Sequence, residues 1–189
     1  MGGVIDFQDR AVASLRARLG AAESVNEDLL AFARGHSGAV ASIHAAVLEA
    51  MRADSIDSLL TVVTRSWPRL LGVDQVALAL VVGHQGFRAD RQGIGFVAPQ
   101  LVDKASAFLG EVEARSVGRG HALFGQEARR IRAEAVVRVD CGPGLPRGLL
   151  LLGQHEDHAI DARHAASLLL FLGRSLGAIV TRWLTATDD

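Results

Sequence analysis

The sequence has a single cysteine and no tyrosine, and the lone thiol sets the first limit on its chemistry. Cys141 cannot form a disulfide within the chain. It could act as a nucleophile, a redox sensor or a chromophore anchor, with His121 or Asp140 to assist it. No motif around it supplies a base, and an unassisted thiol at a strand end is more often inert packing. We therefore expect no catalysis by Cys141.

The chain has almost no net charge and no long apolar run, and both features limit the classes of partner that we expect it to bind. The formal net charge is −1, so nothing draws the whole chain to nucleic acid or to an acidic membrane. Arginines cluster at 129–132 and 16–18 without aromatic residues or a recognisable binding module, which favours solvated helix faces. No apolar run approaches the ~20 residues that span a membrane, and no signal peptide is present. We expect a cytoplasmic protein that binds neither nucleic acid nor membrane.

The sequence does contain a heptad pattern over its first fifty residues. With Val12 at position a, the register continues without a skip, and ten of the twelve a and d positions are apolar. An apolar seam of this kind on a long helix typically packs against a partner helix. Asn26 occupies an a position, where a polar residue fixes the register of pairing. The pattern predicts an N-terminal stalk, residues 1–53, that forms a homodimer through Val12, Leu15, Leu19, Asn26 and Leu29.

An ordinary amphipathic helix packed on its own domain is the alternative for this stretch. Gly20, Gly35 and Gly38 favour it, because a glycine inside a helix costs about 1 kcal/mol relative to alanine. A compromise is a stalk that pairs near its start and packs on the domain near its end.

The pattern of the remaining sequence predicts one α+β domain, residues 54–184, followed by a tail, residues 185–189. An antiparallel sheet with helices packed on one face is the simplest architecture for the order of elements. The first half has a helix at 56–71, a strand at 73–82, a strand in either 87–90 or 93–97, and a short helix near 101–112. The second half has a strand at 113–117, a helix or irregular segment at 123–132, hairpin strands at 133–139 and 148–153, and a helix at 161–184.

Four motifs in this order carry a resemblance to a known family. They are residues 50–60 (AMRADSIDSLL), 70–78 (LLGVDQVAL), 123–125 (LFG) and 148–154 (GLLLLGQ). The chain resembles the GAF-like domains of bacteria, and more narrowly the family called domain of unknown function 484. The resemblance implies a GAF-like fold and a dimeric ligand-sensing or signal-relaying module without catalysis.

The chain departs from that family's pattern in two places. After the hairpin strand the family tends to carry Gly-Ser and then an aromatic residue, whereas residues 153–160 here contain neither serine nor an aromatic. A small polar residue usual near the start of the hairpin strand is Ala133 or Ala135 here. If those positions line a family ligand site, this chain binds a different ligand or none.

The expected ligand site lies between the sheet and residues 92–124, a segment with glycines and mixed apolar and arginine content. Such a segment can fold over the sheet face that the long helices leave open. Apolar walls with an arginine anchor predict a site lined by Phe87, Phe96, Phe124, Arg91 and Arg115. Arg88 and Arg119 are further arginines of the region that could hold an anionic ligand. The alternative is that the phenylalanines fill the space themselves.

Three histidines and three carboxylates fall within residues 155–164, and these residue types suit zinc and similar ions. One alternative function is therefore a small metal-dependent hydrolase using His155, His158 and His164. A solvated loop is favoured, because no His-x-x-x-His pair is present, and we expect no metal or cofactor. The other alternative is a structural adaptor that binds a protein partner through the stalk. We expect a non-enzymatic regulatory or ligand-sensing homodimer.

The unbroken register predicts that the purified chain is a dimer whose interface includes Leu15, Leu19, Asn26 and Leu29. Sedimentation at micromolar concentration should give the mass of two chains. A monomer under those conditions would contradict the prediction, as would a stalk that contacts only its own domain.

Overall fold

A computed structural model describes residue 35, residues 37–157 and residues 162–185. Ala39–Asp189 form one compact unit. The five predicted dimer contacts, Val12 to Leu29, lie outside the described residues, so the pairing of stalks stays a prediction.

The helices and strands follow the predicted order. The helices are α1 (Ser37–Met51), α2 (Ile56–Thr61), α3 (Trp67–Leu71), α4 (Pro99–Phe108) and α5 (Ala162–Thr185). A π-helical turn, Val62–Ser66, joins α2 to α3, and a 3-10 segment, Ala122–Arg129, precedes β5. The strands are β1 (Gln75–Val82), β2 (Gln85–Asp90), β3 (Gly93–Val97), β4 (Val112–Ser116), β5 (Ala133–Asp140) and β6 (Arg147–Gln154).

The six strands form one antiparallel sheet in the order β3-β2-β1-β6-β5-β4. The α+β class and the antiparallel hairpin β5–β6 are therefore confirmed. Both segments between which the sequence did not decide are strands, paired as the hairpin β2–β3. Its turn is closed by Asp90, whose Oδ1 accepts the Gln92 N–H at 2.8 Å, and by Gly93 at a φ of 130°.

The long helices cover one face of the sheet. Ser55 begins α2 by accepting the Ser58 N–H at 3.1 Å. The Trp67 indole N–H donates to the Ala46 carbonyl at 3.0 Å and joins α3 to α1. The apolar cluster on this face, the helix-side cluster, includes Ile43, Ala46, Leu59, Trp67, Val76, Leu78, Leu150, Leu152, Leu172 and Leu176.

Helix α5 carries an apolar stretch, Ala165–Leu184, that is long enough to cross a membrane by length and hydropathy alone. Leu172, Leu176 and Val180 within it are buried against the sheet. Part of this apolar stretch therefore packs in the core, with 39% of it buried.

Helix α4 and the 3-10 segment cover the opposite face. The buried apolar residues on this face form the lid-side cluster, which includes Ala77, Ala79, Leu149, Leu151, Val102, Leu123, Phe124 and Ile131. Two arginines of the β5–β6 hairpin hold α4 in place. Arg138 Nη2 donates to the carbonyls of Ser106 and Leu109, both at 2.7 Å, and Arg147 pairs with Asp103 at 2.9 Å.

The lid-side face also holds a buried carboxylate that fixes the entry to the 3-10 segment. The Glu134 side chain is 1% exposed. Its Oε1 accepts from Arg115 Nε at 3.0 Å and Nη2 at 2.8 Å, and its Oε2 accepts the His121 N–H at 2.7 Å. A buried carboxylate is tolerated only when it is paired and hydrogen-bonded, so these contacts order the segment before residue 122.

His121 begins the 3-10 segment as a neutral imidazole. Its Nδ1 accepts the Leu123 N–H at 3.1 Å, which requires that this nitrogen carry no proton. Burial lowers the pKa of His121, the negative charge of Glu134 raises it by less, and the positive charge of Arg115 lowers it. The folded protein therefore disfavours the protonated imidazole.

Stability should fall as the pH drops below about 6.5, the ordinary pKa of histidine, because the unfolded chain then binds a proton that the folded chain excludes. His121→Asn keeps a capping acceptor but cannot titrate, so it should lose less unfolding free energy between about pH 7.5 and about pH 5.5 than the parent chain. Urea unfolding at both pH values measures the difference. His121→Ala, which lacks the cap, should be destabilised by about 1 kcal/mol at pH values where histidine is neutral. An equal loss in the parent and His121→Asn would contradict the assignment.

Candidate functional site

The lid-side face carries a concavity that we call the arginine concavity. It has a volume of about 540 Å3 and is lined by Arg88, Gln92, Arg119, Gly125, Gln126 and Arg129. Strand β2, the β2–β3 turn, the loop after β4 and the 3-10 segment each contribute to it. These polar side chains come from four segments that the sheet and the Glu134 contacts bring together.

Gly125 allows Arg88 to lie directly against the 3-10 segment. Gly125 has a φ of 61°, and a Cβ there would stand 2.5 Å from Arg88 Nη1. Any side chain at this position would therefore be strained and would displace the guanidinium. Arg88 Nη2 pairs with Asp90 at 3.0 Å, while its buried Nε has no hydrogen-bond partner among the described residues.

Arg119 and Arg129 differ from Arg88 because neither forms an ion pair within the described part of the chain. Both are exposed, and no carboxylate among the described residues lines the concavity beside them. Asp90 is occupied, since it accepts from Arg88 and from the Gln92 N–H. The concavity therefore presents two uncompensated guanidinium groups, the type of group that binds carboxylate or phosphate in a bidentate manner.

The five residues predicted to line a ligand site are not brought together. Phe87 lies opposite Leu80 of the helix-side cluster, and its ring stands 5.3 Å from that of Phe96, which is 80% exposed. Phe124 is 3% exposed in the lid-side cluster, on the other side of the sheet.

The two predicted arginine anchors lie apart from each other. Arg115 is held by Glu134 and by Glu113, the latter at 2.8 Å. Arg91 is exposed and joins Phe124 in lining a smaller depression of about 150 Å3. A ligand contact by any of the five predicted residues stays a prediction, but one pocket built from all of them does not exist in this fold.

The predicted histidine cluster falls largely outside the described residues. His158, Asp161 and the side chain of His164 lie there. His155 is described: its Nδ1 stands 3.7 Å from Asp74, and its Nε2 stands 3.7 Å from Glu127. Within residues 37–157 and 162–185, no group of three metal-binding side chains is arranged to hold an ion.

Cys141 is buried on the helix side of the sheet, away from the arginine concavity. Its side chain is 7% exposed and belongs to the helix-side cluster. Burial raises the pKa of the Cys141 thiol, a contact with Thr181 lowers it by less, and the charge of Asp140 raises it. The thiolate that a nucleophile requires is thus disfavoured.

A second cavity, of about 370 Å3, lies on the helix side. It is mostly apolar, and its polar members are Ser42 of α1 and Gln154 of β6. Gln154 Oε1 is buried without a hydrogen-bond partner among the described residues. Gln154 pairs in register with Ala133 of β5.

Sequence reasoning singled out Arg88 and Arg119 but missed Arg129, Gln92 and Gln126. The sequence favours a solvated helix face for Arg129, because a run of arginines does not show which part of the fold it will contact. The available signal was Gly125, a glycine directly after two apolar residues within a segment predicted to be either a helix or irregular.

The architecture is similar to several solved GAF domains. One, from a phosphoenolpyruvate-protein phosphotransferase of Coxiella burnetii, has 12% identity and a TM-score of 0.56, covering 82% of this chain and 99% of that chain. The phycoerythrobilin-bound GAF domain from a cyanobacterial phytochrome has 14% identity and a TM-score of 0.55, covering 78% of this chain and 96% of that chain. A phycocyanobilin-bound GAF domain from a cyanobacterial phytochrome has 13% identity and a TM-score of 0.56, with the same coverage. At these identities the likeness shows the fold alone.

No curated protein sequence matches the chain. A family model does match it, over residues 1–185, and that model is described as protein of unknown function, DUF484. The fold and the family match confirm the resemblance carried by the four sequence motifs. The chain therefore belongs to the DUF484 family and has the fold of a GAF domain.

Proposed function

We propose that this protein is a non-enzymatic regulatory module that binds a small molecule in the arginine concavity and acts as a homodimer. The observation that carries the proposal is the concavity itself, a polar recess of about 540 Å3 on a GAF fold. Its volume is within the range of small-molecule sites, about 300–1,000 Å3. Its arginines and glutamines suit binding, and no nucleophile lies among them.

The ligands of the similar structures do not transfer directly to this chain. Two of those domains are bilin-bound. GAF-like photoreceptors attach bilins through cysteine, and here Cys141 is buried on the opposite side of the sheet from the concavity. We therefore propose a ligand that is held without a covalent bond.

The central strands offer a physical link between ligand and dimer. Successive side chains of β1 point to opposite faces, so Ala77 and Ala79 contact the lid side while Val76 and Leu78 contact the helix side. A ligand that binds one arrangement of the lid more tightly shifts the population toward it. The helix-side layer, which includes the end of the predicted stalk in α1, would respond through this shared strand.

We expect native mass spectrometry of the freshly purified protein to show a dimer with a bound small molecule that is released on denaturation. A dimer that carries no small molecule, and whose melting temperature no metabolite mixture changes, would favour the adaptor alternative. Stoichiometric zinc, together with hydrolase activity lost in His155→Ala, would contradict the proposal and favour the metal-dependent alternative.

The dimer itself can be tested with a matched pair of variants in the predicted stalk. Leu19→Asp places a charge in the seam and should weaken dimerisation at least tenfold, because the carboxylate must be desolvated there. Ala17→Asp introduces the same charge at position f, away from the seam, and should leave the dimer intact. Sedimentation velocity measures both. Equal behaviour of the two variants would show that the heptad register does not form the interface.

A further inference from the structure

We infer that the ligand of the arginine concavity is a small polyanion, a molecule carrying at least two carboxylate or phosphate groups. This inference rests on the proposed function and assigns the chemical class of the ligand. Arg119 and Arg129 supply two positive charges from separate segments, the loop after β4 and the 3-10 segment. Two guanidinium groups on separate segments match a molecule with two separated anionic groups.

The balance of charge around the concavity supports a polyanion. Arg88 is already neutralised by Asp90, so it serves to shape the recess and to supply donors. Arg119 and Arg129 have no carboxylate partner among the described residues. A single carboxylate would leave one of them unpaired, whereas a molecule with two anionic groups can pair with both.

The lining also excludes a mainly apolar ligand. All six lining residues are arginine, glutamine or glycine, so a flat hydrophobic molecule would find no apolar wall. Gln92 and Gln126 add amide donors and acceptors that suit hydroxyl or carbonyl groups between the anionic ends. The cavity of about 370 Å3 on the helix side has the apolar walls that such a hydrophobic molecule would need.

A small anion is favoured over a nucleic-acid backbone. The net charge of the chain is −1, so no excess of positive charge draws the whole chain to a nucleic-acid backbone. Single strands are bound by aromatic platforms beside the basic groups. Phe124, next to Gly125, is 3% exposed, and Phe87, next to Arg88, lies on the helix side of the sheet.

The test is calorimetric titration of the extensively dialysed full chain at about 150 mM salt, where weak surface attraction is screened. The probes are pyrophosphate and citrate, with inorganic phosphate and acetate as their smaller counterparts. We expect saturable binding of pyrophosphate or citrate, at least tenfold tighter than its counterpart. The polyanion that binds distinguishes a phosphate-bearing ligand from a carboxylate-bearing one.

The decisive variant is Arg119→Gln/Arg129→Gln, which removes both charges from exposed side chains. Binding should weaken at least tenfold, because each lost charge-assisted contact is typically worth about a factor of ten or more. The matched control, Arg65→Gln/Arg69→Gln, removes the same charge from exposed arginines on the helices of the other face and should change binding less than about twofold. Melting curves verify that both variants fold.

Three results would overturn the inference: no saturable binding of either polyanion, an equal loss in the control variant, or tighter binding of a single-stranded oligonucleotide with the same dependence on Arg119 and Arg129. These results would not by themselves contradict the proposed function, which is tested by the small molecule that co-purifies with the protein. A small molecule that co-purifies with the protein and is retained by the double variant would support sensing while placing the ligand elsewhere. A co-purified polyanion that the double variant loses would support both proposals.

Discussion

The central strands of the sheet impose the constraint on which the rest of the structure depends. Leu149, Leu150, Leu151 and Leu152 of β6 are all buried, so both faces of the sheet must be covered. The chain has long helices for one face only. The other face is covered by a ten-residue helix and a 3-10 segment, elements too short to cover it by apolar packing alone.

Polar contacts complete the lid-side layer, and they explain why the recess lies where it does. Glu134 loses its hydration on burial, which costs several kcal/mol unless its partners compensate. Arg115 and the His121 N–H provide those partners. Arg138 and Arg147 hold α4 in place, by donating to the Leu109 carbonyl and by pairing with Asp103. Because the segments are fixed at these points, the chain between them need not fill all the space over β2. The arginine concavity is the space that remains.

The sequence predicted the parts of the fold that periodic apolar patterning encodes. Strand β1, the β5–β6 hairpin and α5 follow from runs whose burial is visible in their composition. The β2–β3 hairpin stayed undecided, because its strands contain glycine and arginine in place of a continuous apolar run. For residues 123–132 the sequence leaves a helix and an irregular segment open, because the start of the 3-10 segment depends on Glu134, thirteen residues from His121, and no local propensity records that contact.

The candidate site shows a second reason why sequence reasoning fell short. Phe87 and Arg88 are neighbours, and both were assigned to one ligand region. In a strand, adjacent side chains point to opposite faces, so forming β2 necessarily sends Phe87 to the helix side and Arg88 to the lid side. Had the sequence settled that residues 85–90 are a strand, it would also have separated Phe87 from Arg88. Phe87 and Phe124 consequently lie on opposite faces of the sheet, which is why the five predicted residues do not form one site.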